Sequence, residues 1–367
     1  MRWREVLKLS ILAAIIFFSS FQKYKVFDES GGDFEAYRGA TREFLSGKNP
    51  YNYTVKSFTE KYDKFGEELR HGYAYLPGLM YVQAPLYLLQ EPTHMPLQRL
   101  WRFPLLGADI GVSVLIAAYL YRKNFLAALA GVAVWSYHPF FFTIGSYTNW
   151  EPYPVFFALL ALHFLEKRDD LSAFLFAIAV VFKTFPIILL PIFLLKSKNR
   201  TRFLLIGALV FLAISLPFMG SFEDFETYIR GSLLVHGERE LQGRPLLSYV
   251  DYYTTISFHQ VSLVKIYTYV SLLGSWAVTW WLFAKKKIQD KFILAAAAFL
   301  TFYIFTPVLN RTYLIWWIPF MVLAAFNATK KRPWLYFAVL AAFYVFYSWY
   351  LSQWVRGFRF EGDIISL

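Results

Sequence analysis

Apolar runs recur along the whole chain with short basic clusters set between them, and this alternation leaves few folds open. Val6–Phe21, Leu100–Tyr121, Leu171–Leu195 and Leu263–Ala284 are such runs; Arg122-Lys123, Lys167-Arg168, Lys285-Lys286-Lys287 and Lys330-Lys331-Arg332 are such clusters. An apolar helix of roughly 20 residues spans a bilayer, and Lys/Arg gathered in short loops marks the cytoplasmic side. The net charge of +12 therefore reads as membrane topology, since no nucleic-acid motif accompanies it. The pattern predicts an all-α, multi-pass integral membrane protein of about 11 transmembrane segments, two of them short, with amphipathic juxtamembrane helices in the first external loop. Residues 1–367 are expected to form a single membrane-embedded domain.

Charge parity fixes an expected layout. The first helix, Val6–Phe21, starts in the cytoplasm behind Arg2, Arg4 and Lys8, and it lacks a small-residue cleavage site ahead of Gln22-Lys23. Two large external loops follow from the parity, at about 22–98 and 220–262. Leu171–Leu195 is 25 apolar residues with basic clusters at both ends, too short for two full crossings. Two shortened helices meeting near Lys183–Pro186 reconcile these facts. The chain has no cysteine, so disulfide and thiolate chemistry are excluded.

Within the first external loop, Gly31–Tyr51 reads as an amphipathic helix. Phe34, Tyr37, Thr41, Phe44 and Leu45 share one face, Gly47 and Pro50 close the helix, and Asp33 stands at the N-cap position with Glu35 just inside. Asp33 thus has two readings, a helix cap or a carboxylate presented at the membrane surface. Other candidates on the external side are the loop Ser146–Glu151, Lys183, the cluster His236, Arg239 and Arg244, and Arg311. Lys183 is the most informative, because a lysine at the centre of an apolar helix costs ~2.5–3.5 kcal/mol on insertion scales and needs an anion or a wet cavity. Asp109, inside an apolar run, is expected to pair with another buried polar group, and Trp150 is expected to be an interfacial anchor. The six histidines show no metal-ligand spacing.

Four stretches in order carry a family likeness: Asp33-Phe34-Glu35 with the helix ending Gly47-Lys48-Asn49-Pro50-Tyr51, then Tyr75-Leu76-Pro77, Asn149-Trp150-Glu151, and Phe182-Lys183-Thr184-Phe185-Pro186. Together they resemble the polyprenyl-phosphate-sugar-dependent glycosyltransferases of the GT-C class, with the nearest likeness to GPI mannosyltransferase I and bacterial α-mannosyltransferases. The chain departs from the family in having Asp-x-Glu for Asp-x-Asp and Thr148 where a glycine is usual.

The resemblance implies a membrane glycosyltransferase moving a hexose, mannose above all, from a polyprenyl-phosphate donor to a lipid or glycan acceptor by inversion. Asp33 would be the general base with Glu35 orienting it or the acceptor. Lys183, Arg311 and Arg239 would hold the donor phosphate, and Asn149, Glu151 and Tyr75 the acceptor or sugar. No cofactor is implied, and whether the acidic pair takes a divalent metal is left open. The site is expected on the extracytoplasmic face of the cell membrane, with lipids and the two substrates as partners and no nucleic acid. The alternative from another class is a transporter or flippase for an amphipathic, anionic, lipid-linked substrate.

Overall fold

The computed structural model describes residues 3–27, 33–60, 72–142, 150–235, 241–254 and 261–355. In chain order the helices are α1 (Trp3–Lys25), α2 (Phe34–Leu45), α3 (Tyr51–Thr59), α4 (Gly78–Thr93), α5 (Leu97–Leu120), α6 (Phe125–Ser136), α7 (Pro152–Phe164) and α8 (Asp169–Phe182). They continue with α9 (Leu190–Lys196), α10 (Arg200–Ser215), α11 (Phe222–Ser232), α12 (Leu246–Tyr253), α13 (Val261–Ala284), α14 (Lys291–Phe305), α15 (Tyr313–Ala328) and α16 (Pro333–Val355). A two-residue parallel bridge joins β1 (Gln242–Gly243) to β2 (Val308–Leu309). Among the described residues, α1, α5, the segment Arg200–Phe218 and most of α16 are long and apolar enough to cross a membrane, and α6, α7, α14, α15 and Phe185–Lys196 are shorter apolar helices. The protein is an all-α, multi-pass membrane protein, as the sequence predicts.

Helices dominate because hydrocarbon offers no partner to a backbone N–H or C=O, so each span must satisfy its own. The chain closes helix starts with side chains where it can. Asn124 accepts from the Ala127 amide, Asn199 from Arg202, and Asp290 from Phe292 and Ile293. The 25-residue run Leu171–Leu195 resolves as expected into two short pieces. The first, α8, stops at Phe182, Lys183 is extended at φ −161°, and a 3₁₀ turn over Phe185–Leu189 leads into α9. Pro186 explains the break, since it lacks the amide that would donate to the Phe182 carbonyl and its ring crowds that carbonyl.

The chain divides into two compact units, Met1–Ile15 with Ile116–Ser146 and Glu240–Leu367, and Ile16–Leu115 with Tyr147–Arg239. In the first unit α6 meets α15 and α16 closely at Gly131, where a Cβ would stand 2.8 Å from Val322 Cγ1 and 3.0 Å from the Tyr336 hydroxyl. That hydroxyl donates to the Ala127 carbonyl at 3.0 Å.

The second unit holds an aromatic core that includes Phe34, Tyr37, Tyr51, Tyr73, Trp101 and Trp150. It also buries an ion pair between α1 and α5, with Lys23 Nζ 2.6 Å from Asp109 Oδ2. Asp109 has the buried partner expected of it. Nearby, Arg102 donates to the Val26 carbonyl just beyond the end of α1.

Candidate active site

The second unit builds a site from α2, the Gly72–Pro77 segment, Glu151 and the break after α8. Helix α2 buries Phe34, Tyr37, Ala40 and Thr41, the face its periodicity predicts, with Phe44 half-buried and Leu45 exposed. It ends in a Schellman turn: Gly47 takes φ +73°, its amide donates to the Phe44 carbonyl, and the Lys48 amide donates to Glu43, both at 3.0 Å.

At the other end Asp33 occupies the N-cap position without capping. Its own backbone is already helical, at φ −76° and ψ −12°, and its carboxylate accepts no amide of the first turn. Instead the exposed carboxylate accepts a long hydrogen bond from the Tyr37 hydroxyl, at 3.3 Å. Glu35 is turned to a different partner, an ion pair with Arg38 at 2.6 Å in which both side chains are about half exposed.

The cationic half of the site is assembled from distant segments. Lys183 Nζ lies 2.8 Å from Glu151 Oε1, with Glu151 sealed and the lysine side chain 17% exposed. The same ammonium stands 5.5 Å from the centroid of the Tyr75 ring. Two neighbours fix the segment that carries Tyr73 and Tyr75. The Tyr51 hydroxyl donates to the Tyr75 carbonyl at 2.8 Å, and the Thr54 hydroxyl donates to the Tyr73 carbonyl at 3.1 Å. Immediately after this segment Gly78 starts α4 against the last turn of α8. A Cβ there would fall 2.6 Å from the Val181 carbonyl oxygen, so only glycine lets the backbones approach.

Tyr37 joins the two halves. Its ring is buried, with ring centroids 5.6 Å from Trp150, 5.8 Å from Tyr75 and 6.1 Å from Tyr73. Burial above all, then the neighbouring Tyr75 and Asp33, push its hydroxyl well above the ordinary tyrosine range, so it stays a neutral donor. Asp33, Tyr37, Tyr75, Lys183 and Glu151 thus form one connected group, with an exposed Asp33 and a half-buried Lys183.

A family model described as glycosyltransferase family 87 matches residues 73–309, well over half of the chain. The chain belongs to glycosyltransferase family 87. No curated protein matches it. The matched span includes Tyr75, Asn149, Glu151, Lys183 and Arg239, while Asp33, Glu35 and Arg311 stand outside its bounds. As a family 87 glycosyltransferase the protein uses a sugar donor and an acceptor, and the transporter alternative loses its ground.

The remaining residues named from sequence belong to the first unit or lie outside the described residues. In this family 87 protein Arg311 is an exposed residue of the first unit, its guanidinium 5.8 Å from the Phe140 ring centroid and its carbonyl accepting from the Tyr347 hydroxyl at 2.8 Å. Arg244 is buried in that unit, its amide donating to the Leu309 carbonyl at 3.1 Å. Asn149, His236 and Arg239 lie outside the described residues. Among the described residues no three His, Asp or Glu side chains gather as metal ligands would.

Trp150 corrects an expectation. It is buried in the aromatic core, with ring centroids 5.6 Å from Trp101 and 5.6 Å from Tyr37, rather than standing at an interface as an anchor. Tyr37 was legible only as an apolar-face residue, and Tyr51 only as the end of the closing turn. The polar work of their hydroxyls has no signature in periodicity.

Proposed function

We propose that this family 87 enzyme transfers a hexose, mannose by its resemblance, from a polyprenyl-phosphate donor to a lipid or glycan acceptor by a single inverting displacement. The observation carrying this reading is Asp33 itself. It stands where a cap should be, does not cap, and is linked through Tyr37 and Tyr75 to the Lys183 ammonium.

The acceptor hydroxyl oxygen attacks the anomeric carbon while the bond from that carbon to the phosphate oxygen breaks. The bonding pair leaves with the phosphate, and the acceptor proton passes to the Asp33 carboxylate. Lys183 neutralises the departing phosphate, as a preorganised cation in a low-dielectric surround does best. Glu151, expected at the acceptor, is committed to Lys183, and in this reading it holds the ammonium in place. Inversion needs no carboxylate nucleophile, so Glu35 serves only to orient. The resemblance alone assigns Asn149 to the acceptor and Arg239 and Arg311 to the phosphate, and none of these enters the steps above.

A GT-C-like arrangement with the site on the extracytoplasmic face suits such a donor. The polyprenyl tail stays in the bilayer, and the scissile bond lies at the surface where an amphipathic helix such as α2 presents its carboxylate.

The test is Asp33→Asn, assayed with radiolabelled polyprenyl-phosphate sugars in right-side-out membrane vesicles. General-base catalysis contributes about 10²–10⁴-fold, so transfer should fall by that factor while expression and donor binding hold. Retention of most activity by the variant would remove Asp33 from the chemistry. Wild-type transfer confined to inside-out vesicles would reverse the orientation.

A further inference from the structure

The amphipathic face of α2 carries phenylalanine at 34 and 44 but tyrosine at 37. The aromatic core does not need the hydroxyl, since a phenyl ring would meet Trp150, Tyr73 and Tyr75 equally well. A buried hydroxyl is unfavourable unless it finds a partner. Here its partner is the Asp33 carboxylate at 3.3 Å, beside the Tyr75 ring at 5.8 Å. Asp33 for its part is exposed on the first turn of a surface helix and makes no bond to the amides beside it. An aspartate so placed samples several rotamers, and a general base must hold one. The ring of Tyr37, wedged on three sides, is the fixed point available to it.

From this geometry we infer that Tyr37 is a positioning residue for the transfer reaction, its hydroxyl orienting the Asp33 carboxylate toward the acceptor and tying it to the Tyr75–Lys183 side of the site. The inference rests on the reading of Asp33 as the base. The hydrogen bond is long as it stands, in keeping with catalytic contacts that tighten when substrate binds. It also explains why Asp33 sits at an N-cap position in a conformation that forgoes capping: helical dihedrals at Asp33 bring residue 37 one turn above it.

The experiment is a double-mutant cycle between Tyr37→Phe and Asp33→Asn, read as kcat, donor KM and thermal unfolding in detergent. Tyr37→Phe keeps the ring, so the protein should unfold near the wild-type temperature. Its kcat should fall about tenfold, with donor KM within about twofold. In the Asp33→Asn background the same change should have no further effect, because there is no base left to orient. Multiplicative losses in the cycle, or a Tyr37→Phe enzyme with wild-type kcat, would overturn the inference. Wild-type transfer by Asp33→Asn alone would instead overturn the assignment of the base, and with it any need to position it.

Discussion

Among the described lysine–carboxylate pairs of the second unit, two buried ones have nearly the same length and opposite character. Lys23 and Asp109, at 2.6 Å, are 2% and 4% exposed between α1 and α5. Lys183 and Glu151, at 2.8 Å, are 17% and 2% exposed. In the first pair both charges are sealed, and in the second the carboxylate is sealed while the ammonium keeps an open side beside Tyr75. The sealed pair joins α1 to α5. In the proposed reaction the half-open pair has a carboxylate that fixes the cation and a cation that meets the donor phosphate. On that proposal, the exposure of one partner separates a binding group from an internal clasp.

The difference can be broken from either side. The largest effect is expected at the clasp. Lys23→Met takes the cation from the buried Asp109, and removing one member of a buried pair costs about 3–5 kcal/mol. Replacing both, Lys23→Met with Asp109→Leu, should return most of that stability and leave transfer activity untouched, measured by detergent-solubilised thermal unfolding and donor turnover. Loss of activity in the refolded double variant would mean that the clasp also serves the reaction.

A smaller effect is expected at the half-open pair, and it should not be rescued in the same way. Lys183→Met with Glu151→Gln removes both charges and avoids a stranded carboxylate, so stability should stay near wild type. A charge-assisted bond to phosphate is worth ~1.5–3 kcal/mol, so kcat/KM for the donor should still drop about ten- to a hundredfold. Kinetics within twofold of wild type would make this pair a second clasp.

The smallest effect belongs to the exposed pair Glu35–Arg38, with 45% and 51% exposure. Surface pairs contribute about 0.2–1 kcal/mol, so Glu35→Gln should barely shift unfolding and should slow transfer by less than about threefold. A loss comparable to that of Asp33→Asn would exchange the roles of the two acids.

Much of the fold was open to inspection in the sequence. Basic clusters between apolar runs marked the helices, and the bracketed run Leu171–Leu195 marked the break at Lys183, because hydrophobic period and charge parity are local properties of the chain. The site was legible where a residue was out of place for its surroundings: Lys183 in an apolar run, Asp33 and Glu35 ahead of an amphipathic helix. What sequence could not supply was pairing. Asp109 and Lys23, or Glu151 and Lys183, are joined by packing between helices, and periodicity says nothing of which helices meet. The role of the Tyr37 hydroxyl was hidden for a related reason. A tyrosine on an apolar face looks like core, and only its hydroxyl's neighbour tells whether it is more. The Asn49-Pro50-Tyr51 stretch shows both sides of this. Its turn was expected, but the bonds from Asn49 to Asp224 and from Tyr51 to the Tyr75 carbonyl, which tie that turn to α11 and to the site, were not.

The Lys23–Asp109 clasp also sets a schedule for the growing chain. Its members are 86 residues apart, so at a synthesis rate of ~5–20 residues per second the ammonium precedes its carboxylate by about 4–17 s. Glu151 and Lys183 are separated by 32 residues, which at the same rate is about 2–6 s. Throughout the longer interval Lys23, in the last turn of α1, waits for its Asp109 partner, and its long stem lets the ammonium reach toward polar surroundings meanwhile. The clasp of the first helix can therefore close only when synthesis has reached the middle of α5.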